Sequence, residues 1–131
     1  MKAAVFYSAH DLRVEDTPVA NLGEKDVLIR VHACGICGTD VHIFHGDEGA
    51  AKTPAGTALG HEFAGEVVQV GEQADPALIG VRAAIFPLIP CRKCDPCVTG
   101  NYAMCEDYDY LGSRCDGGSC CGTAAPGRGR A

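Results

Sequence analysis

The sequence contains no tryptophan, and aromatic residues make up only 6% of its 131 residues. A core with so few rings has to rest on aliphatic side chains, chiefly Val, Ile, Leu and Ala. Hydrophobic residues nevertheless reach 47%, and glycine occurs 17 times. This combination favours a β-rich domain with many turns over a helical bundle, and the length gives room for one domain with its own core.

The chain also lacks an excess of basic residues and any long apolar run. Its formal net charge of −6 at pH 7 argues against a nucleic-acid binder, which needs a basic surface to face phosphates. No apolar run approaches the roughly 20 residues that span a bilayer, and the apolar segment at the N-terminus is too short for a signal peptide. We therefore expect a cytoplasmic protein that binds neither nucleic acid nor membrane.

Hydrophobic patterning predicts strands through most of the chain. Residues 26–33 alternate with a period of two, which indicates a strand with one buried face. Gly65 lies within a further predicted strand, at a bulge or a close backbone approach. A short helix is predicted over residues 40–44, with Thr39 as its N-cap. The other predicted strands cover residues 2–7, 12–19, 62–70 and 81–89, and residues 46–60 are predicted to be loop.

Nine cysteines are many for a chain of this length. Without a signal peptide, clustered cysteines at fixed spacing are more often metal ligands than disulfides. Four of them follow the pattern C-x2-C-x2-C-x7-C and predict a closed S4 site for a structural Zn²⁺, namely Cys91, Cys94, Cys97 and Cys105. A [4Fe–4S] cluster is an alternative, although ferredoxins place their fourth cysteine differently. Disulfide bonds or free thiols would also account for four cysteines.

Cys37, His61 and Glu62 offer a second set of donors. A catalytic zinc needs few protein ligands of mixed N, O and S type and one open position. On composition alone this set is weak evidence, because a His beside a Glu is usually an ordinary surface or core residue.

The motifs occur in a recognisable order along the chain. Cys-Gly-Thr-Asp-Val-His at 37–42 is followed by Gly-His-Glu at 60–62 and then by the four-cysteine segment. This order resembles that of zinc-dependent medium-chain alcohol and polyol dehydrogenases, including sorbitol, threonine, butanediol and galactitol-1-phosphate dehydrogenases. The resemblance covers nearly all of residues 1–118. It implies a mainly β fold, a GroES-like partly open barrel with a protruding zinc lobe at residues 91–105.

The resemblance also implies a function and a role for each motif residue. It implies oxidation of a secondary alcohol of a polyol or polyol phosphate, with NAD(P) as acceptor and two zinc ions. Thr39 and His42 match the residues that relay the substrate proton towards solvent. Relatives are homo-oligomers, and their substrates are small alcohols or polyols. The matching ligands are Cys37, His61 and Glu62 for the catalytic zinc, and Cys91, Cys94, Cys97 and Cys105 for the structural zinc.

Asp40 and Cys34 have simpler interpretations. Asp40 is expected to supply a first-turn helix charge or a structural hydrogen bond. Cys34 forms a C-x2-C pair with Cys37, as in thioredoxin-type redox sites. Because no βαβ unit is visible, we interpret Cys34 as a small buried residue instead.

The resemblance ends after Gly117 and Gly118. No G-x-G-x-x-G follows a strand, so the fingerprint of a dinucleotide-binding Rossmann domain is missing. Residues 119–131 are predicted to be a disordered, family-unlike tail. From this we hypothesise a truncated or frame-shifted gene whose product has little activity alone. The rival hypotheses are a non-catalytic zinc-binding structural or interaction module and an iron–sulfur electron carrier.

Overall fold

Strands form most of the regular structure, in agreement with the composition. A computed structural model describes residues 1–19, 21–47 and 52–118, together with the backbone of 123–126. The strands are Lys2–Ser8 (β1), Asp11–Asp16 (β2), Asp26–Gly35 (β3), Thr57–Ala58 (β4), Glu62–Val70 (β5), Arg82–Ala84 (β6), Leu88–Ile89 (β7), Asp109–Tyr110 (β8) and Thr123–Pro126 (β9). The α-helices are Gly38–His45 (α1) and Asp95–Val98 (α2), and 3-10 turns lie at Pro76–Leu78 and Tyr102–Met104.

The strands form three open antiparallel sheets. Their orders are β2-β1-β4, β6-β5-β3-β9 and β7-β8. The pairing of β3 with β5 is the longest, and it runs from Val27 opposite Val70 to Gly35 opposite Glu62. This register matters for function, because it places the end of β3 beside the start of β5.

The main core lies on one face of the β3–β5 pair. The alternation predicted for β3 is confirmed, since Val27 and Ile29 are buried while Arg30 and His32 are exposed. The buried residues of this cluster are Val27, Ile29, Phe63, Val67 and Leu111. Burial of these side chains removes apolar surface from water and holds the two strands together.

Gly65 meets the expectation of a close approach. A Cβ atom at this position would collide with the backbone carbonyl of Arg30 on the neighbouring strand. The register of the β3–β5 pair also shifts between Val31 and Ala33, next to Gly65. Only glycine allows the strands to approach this closely at the bulge.

Two predicted strands differ from the structure. β2 ends at Asp16 rather than at residue 19, because its partner β1 begins at Lys2, directly opposite Asp16. The strand predicted over residues 81–89 is divided into β6 and β7. Pro87 lies between them, and the chain changes partner there from β5 to β8.

The predicted N-cap of the short helix is wrong. α1 begins at Gly38, and Cys37 is its N-cap: the Cys37 sulfur accepts a hydrogen bond from the Thr39 backbone N–H. The Asp40 carboxylate accepts one in return from the Cys37 backbone N–H, which completes a capping box. Thr39 therefore lies inside the first turn. Cysteine is outside the usual set of capping residues, so the sequence pattern favoured threonine.

Four residues of the predicted disordered tail lie in a strand. Thr123–Pro126 form β9, whose backbone pairs with Asp26–Ile29 of β3. The rest of the predicted tail, at residues 119–122 and 127–131, lies outside the described residues.

Candidate metal centres

The β3–β5 pairing brings Cys37, His61 and Glu62 together. Cys37 follows the end of β3, and His61 and Glu62 lie at the start of β5. One ligand atom from each of the three residues lies within 4.8 Å of the others. The Cys37 Sγ is 2.9 Å from His61 Nε2. The cluster thus offers sulfur, nitrogen and oxygen donors at one point, a combination that Zn²⁺ accepts.

A glycine-rich turn fixes the backbone next to His61. Gly117 donates its N–H to the Ala58 carbonyl at 2.8 Å, and Gly118 donates to the Gly60 carbonyl at 2.8 Å. A side chain at Gly117 would collide with the Gly60 carbonyl. The Asp-Gly-Gly segment at 116–118 therefore packs directly against the residues that lead into His61.

The His61 ring is buried, with Asp40 facing its Nδ1 and Cys37 facing its Nε2. Its exposed fraction is 3%, and its Nδ1 lies 3.6 Å from Asp40 Oδ1. Both of these atoms are buried without a hydrogen-bond partner among the described residues. A proton on Nδ1 facing the carboxylate leaves the Nε2 lone pair directed at Cys37, which is the arrangement of a metal-binding histidine. The donor set and this orientation fit a metal ion.

Asp40 does more than the sequence analysis expected. Its predicted structural hydrogen bond is present, from the Cys37 N–H to Asp40 Oδ2 at 3.0 Å. The second oxygen faces His61, and this role was missed. The three-residue spacing from Cys37 accounts only for the capping-box contact, because the contact with His61 joins residues that are distant in sequence.

Thr39 and His42 both lie on α1, near the cluster. Within the described ranges no hydrogen bond joins them. Thr39 is exposed, and the His42 side chain is 63% exposed, with Nδ1 2.7 Å from Asp47 Oδ2. The structure therefore places both residues on α1 beside Cys37 without showing the relay itself.

A cleft opens beside the three-donor cluster. One part, of about 490 Å³, includes His61, Glu62, Phe86, Pro87 and Tyr110 in its lining. A second part, of about 430 Å³, shares Phe86, Pro87 and Tyr110 and reaches Thr39. The two parts are therefore adjacent, and a small molecule in them can lie against the potential metal ligands.

Tyr110 is a site residue that the sequence analysis missed. Its ring lies 5.5 Å from that of His61, centroid to centroid. Burial raises the pKa of its hydroxyl, and the negative charges of Cys37 and Glu62 raise it further. The neutral hydroxyl is thus the form that faces the cleft. No motif pointed to Tyr110, because its place depends on the distant pairing of β7 with β8.

The four-cysteine cluster forms as predicted. The sulfur atoms of Cys91, Cys94, Cys97 and Cys105 all lie within 4.8 Å of one another. The Cys91 and Cys97 sulfurs are 4.0 Å apart, as are those of Cys94 and Cys105. α2 and the following 3-10 turn make up the intervening chain. Four sulfurs arranged around one point match a tetrahedral site with no open position.

The thiols of this cluster differ in acidity. Backbone N–H groups of Lys93 and Cys94 lower the pKa of Cys91 to about 6. Burial raises the pKa of Cys97 to about 12. The thiolate is the form that binds metal, so the backbone around Cys91 already favours the metal-binding form there.

Cys34 and Cys115 lie outside both clusters. Cys34 is half-buried and packs against the main core, so it is less enclosed than predicted. Cys115 is also half-buried, and burial raises the pKa of its thiol to about 11. Cys120 and Cys121, to which the sequence assigns no role, lie outside the described residues.

Comparison with known proteins decides the family. The sequence model described as "Alcohol dehydrogenase GroES-like domain" matches residues 23–127, and so extends into the segment predicted to be family-unlike. Sorbitol dehydrogenase from Bacillus subtilis (strain 168) is 38% identical over 112 residues, which are 85% of this chain and 32% of that protein. The chain belongs to the zinc-dependent medium-chain alcohol and polyol dehydrogenase family.

Solved structures of the family share the fold. A zinc-binding dehydrogenase from Sinorhizobium meliloti 1021, bound to NADP, superposes with a TM-score of 0.88 at 35% identity. The match covers 96% of this chain and 36% of that one. Galactitol-1-phosphate dehydrogenase from Escherichia coli gives a TM-score of 0.86 at 31% identity, with 96% and 36% covered. The mainly β, GroES-like fold predicted from the sequence is thereby confirmed.

The chain spans about a third of the length of the relatives it matches. None of the helices in the described part is both long and apolar enough to cross a bilayer.

Proposed function

We propose that this chain is the zinc-holding, alcohol-binding part of an NAD(P)-dependent dehydrogenase that oxidises a secondary alcohol of a polyol or polyol phosphate. The observation that carries the proposal is the mixed cluster of Cys37, His61 and Glu62 at the edge of a cleft. Membership of the family supports zinc and NAD(P) as cofactors, and the named relatives include dehydrogenases of sorbitol and galactitol 1-phosphate.

The two clusters have different parts in this proposal. Four cysteine sulfurs complete a tetrahedral shell, so the ion at Cys91, Cys94, Cys97 and Cys105 is structural. Three donors leave a position for substrate, so the ion at Cys37, His61 and Glu62 is catalytic. Asp40 holds the His61 ring with Nε2 directed at this second site.

Zn²⁺ bound by Cys37, His61 and Glu62 supplies Lewis acidity, which lowers the pKa of an alcohol hydroxyl so that its proton can leave near neutral pH. The protein has to remove that proton. Thr39 lines the cleft, and its hydroxyl accepts the substrate proton while it gives up its own. His42 lies one helical turn further along α1, and its ring takes up this proton through a bridging water before the proton leaves to solvent. Asp47 orients the His42 ring through the contact to Nδ1.

The cleft offers the substrate a surface of mixed apolar and polar character. Phe86 and Pro87 give it apolar walls next to His61, and Tyr110 presents a neutral hydroxyl. A polyol offers both carbon–hydrogen surface and hydroxyl groups, so it matches a lining of this mixed character. Correct placement of the reacting carbon is a large part of the rate enhancement in such reactions.

The proposal is tested by zinc-dependent binding of sorbitol to the 131-residue chain, followed by NMR. We expect amide shifts at residues that line the cleft, such as Ala33 and Ala84. A Cys37→Ser variant removes a ligand of the proposed catalytic site, keeps an oxygen that can cap α1, and should lose these shifts. A Cys115→Ser variant removes a cysteine outside both clusters and should retain them. Sorbitol shifts of equal size in the chain and in the Cys37→Ser variant would contradict the proposal and favour a non-catalytic zinc module.

A further inference from the structure

The cleft beside the metal cluster carries a positive charge at one end. Its second part, the one that contains Thr39, is also lined by Tyr108, Ser113 and Arg114. Of the described residues that line either part, Arg114 alone is a lysine or arginine. Glu62 lies in the other part, with His61. The cleft therefore has a metal-binding end and a cationic end.

The Arg114 side chain is held in place rather than free to swing. Its guanidinium carbon lies 4.4 Å from the centroid of the Tyr108 ring, a cation–π distance. Its Nη1 also donates a hydrogen bond to the Tyr108 carbonyl at 2.6 Å. A guanidinium has five N–H donors, so most of them stay available to a ligand.

The backbone that carries Arg114 is equally well fixed. The Arg114 N–H donates to the Tyr110 carbonyl at 3.0 Å, and Gly112 donates to the Cys115 carbonyl at 2.8 Å. Asp116 then accepts a hydrogen bond from the Ala58 N–H at 2.9 Å. This turn is thus tied to the segment that precedes His61, and the spacing between Arg114 and the metal cluster is set by the fold.

We propose that Arg114 binds an anionic group, a phosphate or carboxylate, carried by the polyol substrate whose hydroxyl lies at the Cys37–His61–Glu62 end. The proposal rests on the proposed function and adds the substrate class. The planar fork of a guanidinium matches the oxygens of phosphate and carboxylate. In a protein with a net charge of −6, a fixed cation in the cleft is what an anionic substrate needs. Two groups at opposite ends of the cleft also fix which hydroxyl faces the metal site.

The test compares sorbitol 6-phosphate with sorbitol as NMR titrants of the zinc-loaded 131-residue chain at low ionic strength. We expect sorbitol 6-phosphate to bind about tenfold more tightly, the effect of hydrogen bonds to a charged group. Arg114→Gln should remove this preference and leave the dissociation constant of sorbitol within about twofold of its original value. Arg114→Lys keeps the charge without the fork and should retain part of the preference.

Arg13→Gln is the matched control variant. Arg13 also stacks on a tyrosine, with its guanidinium carbon 4.5 Å from the Tyr7 ring, but it is not among the cleft residues. Its substitution should leave the preference unchanged. Unaltered amide spectra of β3 and β5 in each variant show that the fold is intact.

Two results would overturn the assignment of Arg114. The first is equal affinity for the two polyols in the unmodified chain. The second is a loss in Arg114→Gln of NAD⁺ binding but not of sorbitol 6-phosphate binding, which would assign the anion to the dinucleotide. Failure of the proposed function gives a different pattern, in which sorbitol binding does not depend on zinc.

Discussion

Asp40 shows how one buried carboxylate serves both the helix and the metal site. One oxygen accepts a hydrogen bond from the Cys37 N–H, and the other faces His61 Nδ1 at 3.6 Å. The residue is 8% exposed, and a carboxylate is costly to bury without partners. With a zinc ion bound at Nε2, a proton on His61 Nδ1 would face Asp40 and give this buried carboxylate positive surroundings.

Replacing Asp40 by Asn should weaken metal binding at the Cys37–His61–Glu62 cluster. The amide keeps the size of the side chain but removes the charge that orients His61, and loss of such a partner typically costs about 10–100-fold in metal affinity. Competition with a chromophoric chelator measures the change. Asp47→Asn is the matched control, because Asp47 is half-exposed and contacts His42 instead. Equal zinc affinities in the Asp40→Asn variant and the unmodified chain would show that Asp40 acts on the helix only.

For single residues, the sequence indicated the metal-binding donors but not the residues that surround them. Cys37, His61 and Glu62 were selected from motif order, and the structure brings all three together. The sequence predicted one of the two contacts of Asp40. It did not point to Tyr110, Phe86 or Arg114. These residues belong to the cleft only because strands far apart in sequence meet there, which local patterns do not encode.

Among the elements, the four-cysteine segment has little apolar core of its own. Residues 91–105 contain only α2 and one 3-10 turn, and only Cys97 and Cys105 of these residues are buried. We therefore expect metal binding, rather than an apolar core, to supply the folding free energy of this segment.

Cys97→Ser should therefore release one zinc ion and unfold this segment locally. Serine leaves three of the four sulfurs, and the closed shell of the site is broken. We expect faster amide hydrogen exchange within residues 91–105 and unchanged exchange in β3 and β5. Cys115→Ser removes a half-buried cysteine outside the cluster, and should change neither zinc content nor exchange in the segment. Protection of residues 91–105 that survives the Cys97 substitution would contradict a metal-dependent fold.

At Gly65 the two strands of the β3–β5 pair approach too closely for a side chain. In Gly65→Ala the new methyl group meets the Arg30 carbonyl, and the strands have to separate. We expect the free energy of unfolding to fall by about 1–3 kcal/mol, as for overpacking in a core. Gly38→Ala is the control, since no atom lies within 4 Å of its Cβ position, and it should change the stability by less than about 0.5 kcal/mol. Urea denaturation in the presence of zinc measures both. A stable Gly65→Ala variant would mean that the bulge can relax.

Prediction of the elements succeeded where a pattern was long and local. The alternation in β3 and the bounds of β5 follow from side-chain periodicity. The division of the predicted strand 81–89 into β6 and β7 did not follow from periodicity, because it depends on Pro87 and on a change of strand partner. The cap of α1 was misassigned because a sulfur accepts the hydrogen bond that a threonine oxygen was expected to accept.

For the whole molecule, one small fold holds two potential metal sites of different design. The four-sulfur cluster is closed, whereas the three-donor cluster opens onto a cleft whose far end carries Arg114. The relatives share this fold over about a third of their length. The central claim is that both clusters bind zinc in this chain and that only the three-donor cluster is free to bind substrate.

Zinc content per chain, by elemental analysis of the purified protein and two single variants, tests this claim most directly. We predict two zinc ions per chain, one of which is lost in Cys37→Ser and the other in Cys97→Ser. Two ions removed independently would establish that the sites are separate, as their geometry requires. A single zinc per chain, retained in Cys37→Ser and lost in Cys97→Ser, would contradict the claim and leave a structural zinc module without a catalytic centre.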